Sequence, residues 1–550
     1  MMRRQLSASG LFLTLLFLLI YIVPLGGRPL IIPDEVRYAE IPREMIASGD
    51  WVVPRLNGLR YFEKPVMGYW LTAAALKLFG HNAFAARFAA AASAGLGALM
   101  IFVLARRFAH RDVAFSATAI YLSLGLVMAL GGYNVLDGPL TLFITAAMAA
   151  FFVASRQPPG SGRKALWLLL CGLFCGCGFL TKGFVAFAVP AVSAVPYMVW
   201  QRRFKELLVI GWLPFFTALL TVLPWALLVH QQEPDFWRFF IFNEHLRRFM
   251  ADSAQHRAGF WYYLALLPAA ALPWTFLAPT AAAGLKRAGL QSDLLRWAVC
   301  WFLFPLLFFS ISRGKILTYI LPCFAPLAII LAYGFSHLST ERPGRGLRLG
   351  TNALTMAAVL ALAALIGVQV SGIYGLQLYA DHWRMVALIA AVLACALIVF
   401  LAGRQKTVKR AIAGIAAAPV ALILAAPFGL PDATLVRKAP CDFLRRQAPR
   451  VTAESILVAD ERPLLAVCWV FKRSDVHQLG AGGELTYGLS HDDARGRLLT
   501  PAELKKRILE APGRIVLIMS SERYAPLKSS LPRPSYETRS DRDGFVFVQF

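Results

Sequence analysis

Long apolar runs separated by short polar connections fill the first 430 residues of this 550-residue chain. Each run continues for roughly 18 to 25 residues, enough for a helix to cross a hydrocarbon core ~30 Å thick. The runs are continuous rather than alternating, so helices are predicted and a membrane barrel is not. About thirteen spans are expected, centred near residues 10–26, 84–105, 113–131, 137–155, 165–181, 183–200, 207–229, 260–284, 294–311, 317–337, 352–374, 385–403 and 411–430. The pair at 165–200 also reads as one unit interrupted at Thr181-Lys182-Gly183. Met1-Met2-Arg3-Arg4 before an apolar run resembles a signal peptide, but Gly26-Gly27 is a poor cleavage site, which favours an uncleaved first span.

From about residue 431 the pattern changes. Strand-length blocks at 455–459, 465–470, 514–519 and 544–548 alternate with helical stretches at 441–448 and 501–511. The second stretch opens with Thr500-Pro501-Ala502-Glu503, an N-cap, a helical proline and a capping-box acid. The reading is a polytopic α-helical membrane domain over 1–430 and a small α/β domain over 431–550. The small domain has no nucleophile elbow, phosphate loop or metal pair. Packing on the membrane part or docking a partner is its expected role.

Composition supports the membrane assignment: 58% of residues are hydrophobic, 16% are charged, and the mean hydropathy is +0.58. The formal net charge is +25. Its basic residues (Arg3, Arg4; Arg106, Arg107, Arg111; Arg156, Arg163, Lys164; Arg202, Arg203, Lys205; and so on to Arg410) fall in every second connection. The positive-inside rule places those connections in the cytoplasm, with residues 27–65 and the C-terminal domain outside. Much of the charge is thus topological, and no nucleic-acid partner is indicated. Six cysteines lie in predicted spans as small hydrophobes. Cys441 and Cys468 are the outer two, and pairing and free thiols are both open.

Against this apolar background, residues 33–65 are dense in charge. Asp34, Glu35, Arg37, Glu40, Arg43, Glu44, Asp50, Arg55, Arg60, Glu63 and Lys64 crowd one connection, where charge close to a bilayer usually serves function. Residues 35–47 predict a short amphipathic helix at the interface, ended by Ser48-Gly49-Asp50, with Trp51 at headgroup depth. A second such stretch follows Pro65, so interfacial helices are expected over about 35–79. The other outer connections add Asp137, Lys182, His245, Arg248, Arg313, Lys315 and Tyr319. Any one cation there reads equally well as a snorkelling side chain. All together at one face point to an anionic ligand. Lys and Arg can neutralise charge on a phosphate leaving group, and a carboxylate can position a sugar, steer a nucleophile or hold a divalent cation.

Asp34-Glu35-x-Arg37-Tyr38-Ala39-Glu40, Ser48-Gly49-Asp50-Trp51 and Tyr61-Phe62-Glu63-Lys64-Pro65 resemble the membrane glycosyltransferases that use polyprenyl-phosphate sugars, a group that includes protein O-mannosyltransferases. Leu180-Thr181-Lys182-Gly183, Gly314-Lys315-x-x-Thr318-Tyr319 and Gly483-Glu484-Leu485-Thr486-Tyr487 extend the resemblance to the bacterial lipid A aminoarabinose transferases, over essentially the whole chain. That resemblance implies a GT-C type fold and a monomer in the bacterial inner membrane, with its active site and C-terminal domain periplasmic. The implied reaction moves 4-amino-4-deoxy-L-arabinose from undecaprenyl phosphate to a lipid A phosphate, which lowers polymyxin binding. It implies Asp34 and Lys64 as catalytic residues. Arg37, Tyr38, Tyr61, Glu63, Asp137, Lys182, His245, Arg248, Arg313, Lys315 and Tyr319 are the implied substrate-binding residues. Glu63 with His245 is the candidate pair for a divalent metal ion, although no ligand spacing establishes one. A transferase acting on a protein or another glycan is the same-fold alternative. A lipid flippase would instead need polar residues along a path to the cytoplasmic face, and here they gather at one face.

Overall fold

A computed structural model of the protein describes residues 2–242, 257–338, 344–372 and 378–550. The chain forms two compact units: Met1–Leu25 with Arg87–Gly375 and Asp381–Gly429, and Gly26–Ala86 with Leu376–Ala380 and Leu430–Phe550. The division expected near residue 430 therefore needs correction. Residues 26–86, expected within the membrane domain, belong with the C-terminal chain.

The first unit is helical. Among the described residues, nine helices are long and apolar enough to cross a membrane, or up to eleven if two bent pairs each count as one span. The bent pairs are Arg111–Ser123 with Gly125–Gly131, at 61°, and Tyr262–Ala270 with Trp274–Ala288, at 95°. Ala8–Ile22 and Val185–Trp200 are apolar but shorter. Residues 165–200 form two helices, Gly162–Lys182 and Val185–Trp200, broken at Gly183, whose φ of 81° stops the first. The helix Gly162–Lys182 packs closely on Trp212–Gln232 through Gly172 and Gly176. A Cβ at Gly172 would stand 2.3 Å from the Pro214 carbonyl oxygen, and one at Gly176 2.6 Å from Thr221 Cβ. Small residues let helix backbones approach in lipid, which accounts for the Cys-Gly-rich sequence there without a metal.

The second unit is built on a six-stranded sheet. Its strands are β3 (Ile456–Asp460), β4 (His477–Leu479), β5 (Leu498–Leu499), β6 (Ile515–Ser520), β7 (Tyr536–Arg539) and β8 (Phe545–Gln549), in the order β5-β4-β3-β6-β8-β7. The first four strands in that order are parallel, and β8 and β7 are antiparallel. Val458, Ile515, Leu517, Val546 and Val548 pack with Leu504 and Ile508 of the helix Pro501–Glu510, which carries the expected capping box. The block at 465–470, expected as a strand, is the helix Leu464–Phe471. A short apolar run buried on nearly every side has no period to separate helix from strand. Cys441 and Cys468 are both buried and unbridged.

Residues 26–86 supply the helices Asp34–Ser48 and Met67–Phe79, which pack together. The first ends as expected, at Gly49 in the left-handed region (φ 75°). It is not the half-wet interfacial helix that was expected. Glu35, Val36, Arg37, Glu40, Ile41, Arg43, Glu44 and Met45 are all buried. Between the helices lies a hairpin of β1 (Arg55–Leu56) and β2 (Leu59–Arg60), turned by Asn57-Gly58 with φ of 56° and 72°. Both turn residues need positive φ, which Asn tolerates and Gly accepts freely.

Asn57 also fastens the hairpin to the C-terminal chain. Its Nδ2 donates to the Val476 carbonyl at 2.7 Å, and its Oδ1 accepts from the Val476 N–H at 3.0 Å and the Cys468 thiol at 3.5 Å. Asn57→Ala strands these buried groups, each worth about 1–3 kcal/mol when left unsatisfied. The variant is expected to lose about 2 kcal/mol, read as a lower Tm of the full chain in detergent; an unchanged Tm would refute the fastening.

Candidate functional site

The expected site residues fall into two clusters, one in each unit. In the second unit the helix Asp34–Ser48 begins right after Pro33, placing Asp34 and Arg37 one turn apart. Arg37 Nη1 stands 3.2 Å from Asp34. Its Nε donates to Glu484 Oε2 at 2.8 Å, and its Nη2 makes the second bond of a fork to Oε1. A planar guanidinium suits this bidentate geometry. The Arg37 side chain also lies over the Tyr38 ring at 5.5 Å, and Tyr38 stacks on Tyr69 with centroids 6.2 Å apart. Burial pushes the Glu484 carboxyl above its ordinary range, with Arg37 opposing.

Tyr61, Glu63 and Lys64 follow the hairpin. Phe62 packs on Tyr487 at 5.4 Å, and Arg60 pairs with Asp493 at 2.5 Å, so this loop is tied to residues 487–493. The Tyr61 hydroxyl is buried and has no hydrogen-bond partner among the described residues. Burial raises its pKa well above the usual value, with Arg37 acting the other way. Glu63 and Lys64 are half-buried, and Lys64 Nζ donates to the Glu63 carbonyl at 2.8 Å.

The remaining charges of this segment are structural. Arg28 forks onto the fully buried Glu35 at 2.5 and 3.0 Å. Arg43 forks onto the equally buried Glu40 at 2.7 and 2.6 Å. Burial pushes the Glu40 carboxyl well up, against the hydrogen bonds from Arg43. Glu44 accepts the N–H groups of Asn57 and Gly58 at 2.6 and 2.8 Å, holding the hairpin turn.

In the first unit, Asp137 opens the helix Asp137–Ser155 and Lys182 closes Gly162–Lys182. The hairpin of these two helices brings them together, with Lys182 Nζ 2.7 and 2.8 Å from the two carboxylate oxygens. The ammonium also sits 5.0 Å above the centre of the Tyr319 ring. Lys315 is buried, its Nζ donating to the carbonyls of Ala258, at 2.9 Å, and Ser312. Arg313 is exposed, and its carbonyl accepts from Ala258 N–H at 3.5 Å. His245 and Arg248 lie outside the described residues. Among the described residues, no group of three or more His, Cys, Asp or Glu could hold a metal ion. Glu63 is described without its candidate partner.

Glu484 joins this site without any mark in the sequence that it would. Its motif, Gly483-Glu484-Leu485-Thr486-Tyr487, is prominent, but nothing in the sequence indicates a partner 447 positions away. The Asn57-Gly58 turn was a readable signal, flanked as it is by Leu56 and Leu59.

Three comparisons bear on this arrangement. Residues 7–240 match the family described as dolichyl-phosphate-mannose-protein mannosyltransferase, and residues 435–548 the arabinosyl transferase ArnT C-terminal domain. An undecaprenyl phosphate-alpha-4-amino-4-deoxy-L-arabinose arabinosyl transferase from Shewanella sediminis is 41% identical over 538 residues, covering 98% of this chain and 97% of its own. The crystal structure of ArnT from Cupriavidus metallidurans bound to undecaprenyl phosphate has a TM-score of 0.83 at 26% identity, covering 99% of this chain and 98% of its own. The archaeal oligosaccharyltransferase AglB from Archaeoglobus fulgidus shares the fold, at a TM-score of 0.51 and 11% identity, covering 98% of this chain and 74% of its own.

Lys182→Ala leaves the Asp137 carboxylate without its cation and is expected to cost about 3 kcal/mol, as for other broken buried pairs. Asp137→Asn/Lys182→Met should recover most of that loss, as thermal unfolding in detergent would measure. A double variant no more stable than the single one would show that the pair is not coupled.

Proposed function

Because this chain belongs to the family of undecaprenyl phosphate-alpha-4-amino-4-deoxy-L-arabinose arabinosyl transferases, it is a membrane glycosyltransferase with a lipid-linked donor, and we propose that it transfers 4-amino-4-deoxy-L-arabinose to a lipid A phosphate. The transfer takes place at the periplasmic face of the inner membrane, where the alternating basic connections would place residues 26–86 and 430–550. The amine carried by the sugar offsets acceptor phosphate charge and so weakens the binding of polymyxin and other cationic peptides.

An acceptor phosphate oxygen attacks C1 of the sugar. The bond from C1 to the undecaprenyl phosphate oxygen breaks, and undecaprenyl phosphate leaves with the electron pair. Lys64 neutralises the charge that gathers on the leaving phosphate. A phosphate monoester is largely ionised near neutral pH, with a second pKa of about 6, so the acceptor needs no base. Asp34 therefore positions acceptor or amino-sugar, and Arg37 holds Asp34 while Glu484 holds Arg37. Tyr38 and Tyr61 contribute ring faces and a hydroxyl for the sugar, with Glu63 beside Lys64. Asp137, Lys182, Tyr319, Arg313, Lys315, His245 and Arg248 remain the further candidates for binding substrate.

The observation that carries this reading is the Asp34–Arg37–Glu484 chain. It leaves Asp34 with a side chain 45% exposed while its neighbour Glu35 is sealed. Asp34→Asn is expected to abolish transfer in reconstituted membranes; near-normal transfer would rule out an essential carboxylate. Mass spectrometry of lipid A should show a gain of one aminoarabinose with the wild type and none with the variant. Unchanged lipid A beside altered glycoproteins would favour a protein acceptor instead.

A further inference from the structure

The parallel part of the six-stranded sheet has a topological switch. From β3 the chain crosses by the helix Leu464–Phe471 to β4 on one side, moves outward to β5, and then returns to β6 on the other side of β3. In open α/β sheets, ligands bind in the crevice outside the carboxyl ends of the strands at such a point. A cavity of about 560 Å³ lies there, lined by residues just beyond the ends of β3 (Glu461, Arg462) and β6 (Glu522, Arg523), with Gln478 of β4. That volume is in the range of small-ligand pockets. Pro33 and Glu484 also line it, so its wall is continuous with the Asp34–Arg37–Glu484 chain.

The lining is built for a polar, anionic guest. Gln478 is only 2% exposed, and its Nε2 donates to the Ala481 carbonyl at 2.5 Å, which fixes the amide orientation. Its Oε1 is left buried with no hydrogen-bond partner among the described residues, so it calls for a hydroxyl or amine donor. The acids on the wall are already opposed by arginines: Arg462 stands 3.2 Å from Glu522, Arg523 lies 3.7 Å from the buried Asp460 and 3.9 Å from Glu461, and Arg37 forks onto Glu484. Arg437 and Lys438, in the last turn of the helix Asp432–Lys438, are exposed at the rim and have no ion pair among the described residues. Two surplus cations over a buried acceptor match a phosphate and a sugar hydroxyl or amine on the same molecule.

We propose that this crevice is the acceptor subsite, which seats a phosphorylated sugar of the lipid acceptor's headgroup with its phosphate on Arg437 and Lys438 and a hydroxyl or amine on Gln478. It rests on the transferase reading above and adds the recognition of the acceptor. The shared Glu484 wall sets the headgroup beside Arg37 and Asp34.

Steady-state transfer by the full chain in nanodiscs, with lipid A and the lipid-linked donor varied separately, tests the assignment. Arg437→Gln/Lys438→Gln should raise KM for lipid A about tenfold, the loss of ~1.4 kcal/mol of binding, with kcat and donor KM held within about threefold. The charge-preserving swap Arg437→Lys/Lys438→Arg should restore it. Glucosamine 1-phosphate, titrated calorimetrically onto the same nanodiscs, should bind the wild type and bind the double Gln variant about tenfold more weakly. An unchanged acceptor KM, a rise in donor KM instead, or equal binding of glucosamine 1-phosphate by both proteins would overturn the subsite. Absence of any transfer to lipid A by the wild type would instead refute the functional reading, and the titration still decides the crevice.

Discussion

A carboxylate taken out of water without a counter-charge costs several kcal/mol, and the second unit is organised around avoiding that cost. The helix Asp34–Ser48 carries Glu35, Glu40 and Glu44 into a dry interior. Glu35 and Glu40 are each held by an arginine fork, and Glu44 by two hairpin N–H groups. The hairpin can present those N–H groups because Asn57-Gly58 turns it, and Asn57 in turn clasps Val476. Remove any one of these links and a buried charge or amide is stranded. The charged segment and the C-terminal sheet are one folding problem.

Burial also sorts the charges by role. Within a single helix, Glu35 and Glu40 are sealed and paired, while Asp34 keeps a large part of its side chain exposed. Glu63 and Lys64 are half-buried. Among the acids of this helix, Asp34 is the one a ligand can reach. High charge density alone could not make that distinction, because most of the acids that produce it serve the scaffold.

The apolar runs were legible because a span must be continuous, and every predicted run falls on an apolar helix or bent pair among the described residues. Asp137 and Lys182 stood out singly as polar residues beside apolar runs, but their ion pair is visible only in the structure. Other features depended on tertiary context. The helix Leu464–Phe471 is too short and too uniformly apolar to reveal its period. His477–Leu479 and Leu498–Leu499 are too short to stand out as strands. Glu484 required knowledge that the start and end of the chain fold together. The amphipathic pattern of 35–47 gives two faces, and protein rather than water covers the polar one.

The second unit draws its two halves from opposite ends of the chain. Residues 26–86 leave the ribosome some 340 positions before their partners do, which at ~5–20 residues per second is a wait on the order of half a minute. During that interval Glu44 and Asn57 lack the environment that later encloses them. The segment therefore emerges as a charged, unfinished surface while the helices of the first unit are still being made. A ribosome that stops early, even within the last strands, leaves the helical unit fully synthesised and the second unit incomplete. Completion of the environment around the helix Asp34–Ser48 is thus a test of full-length synthesis.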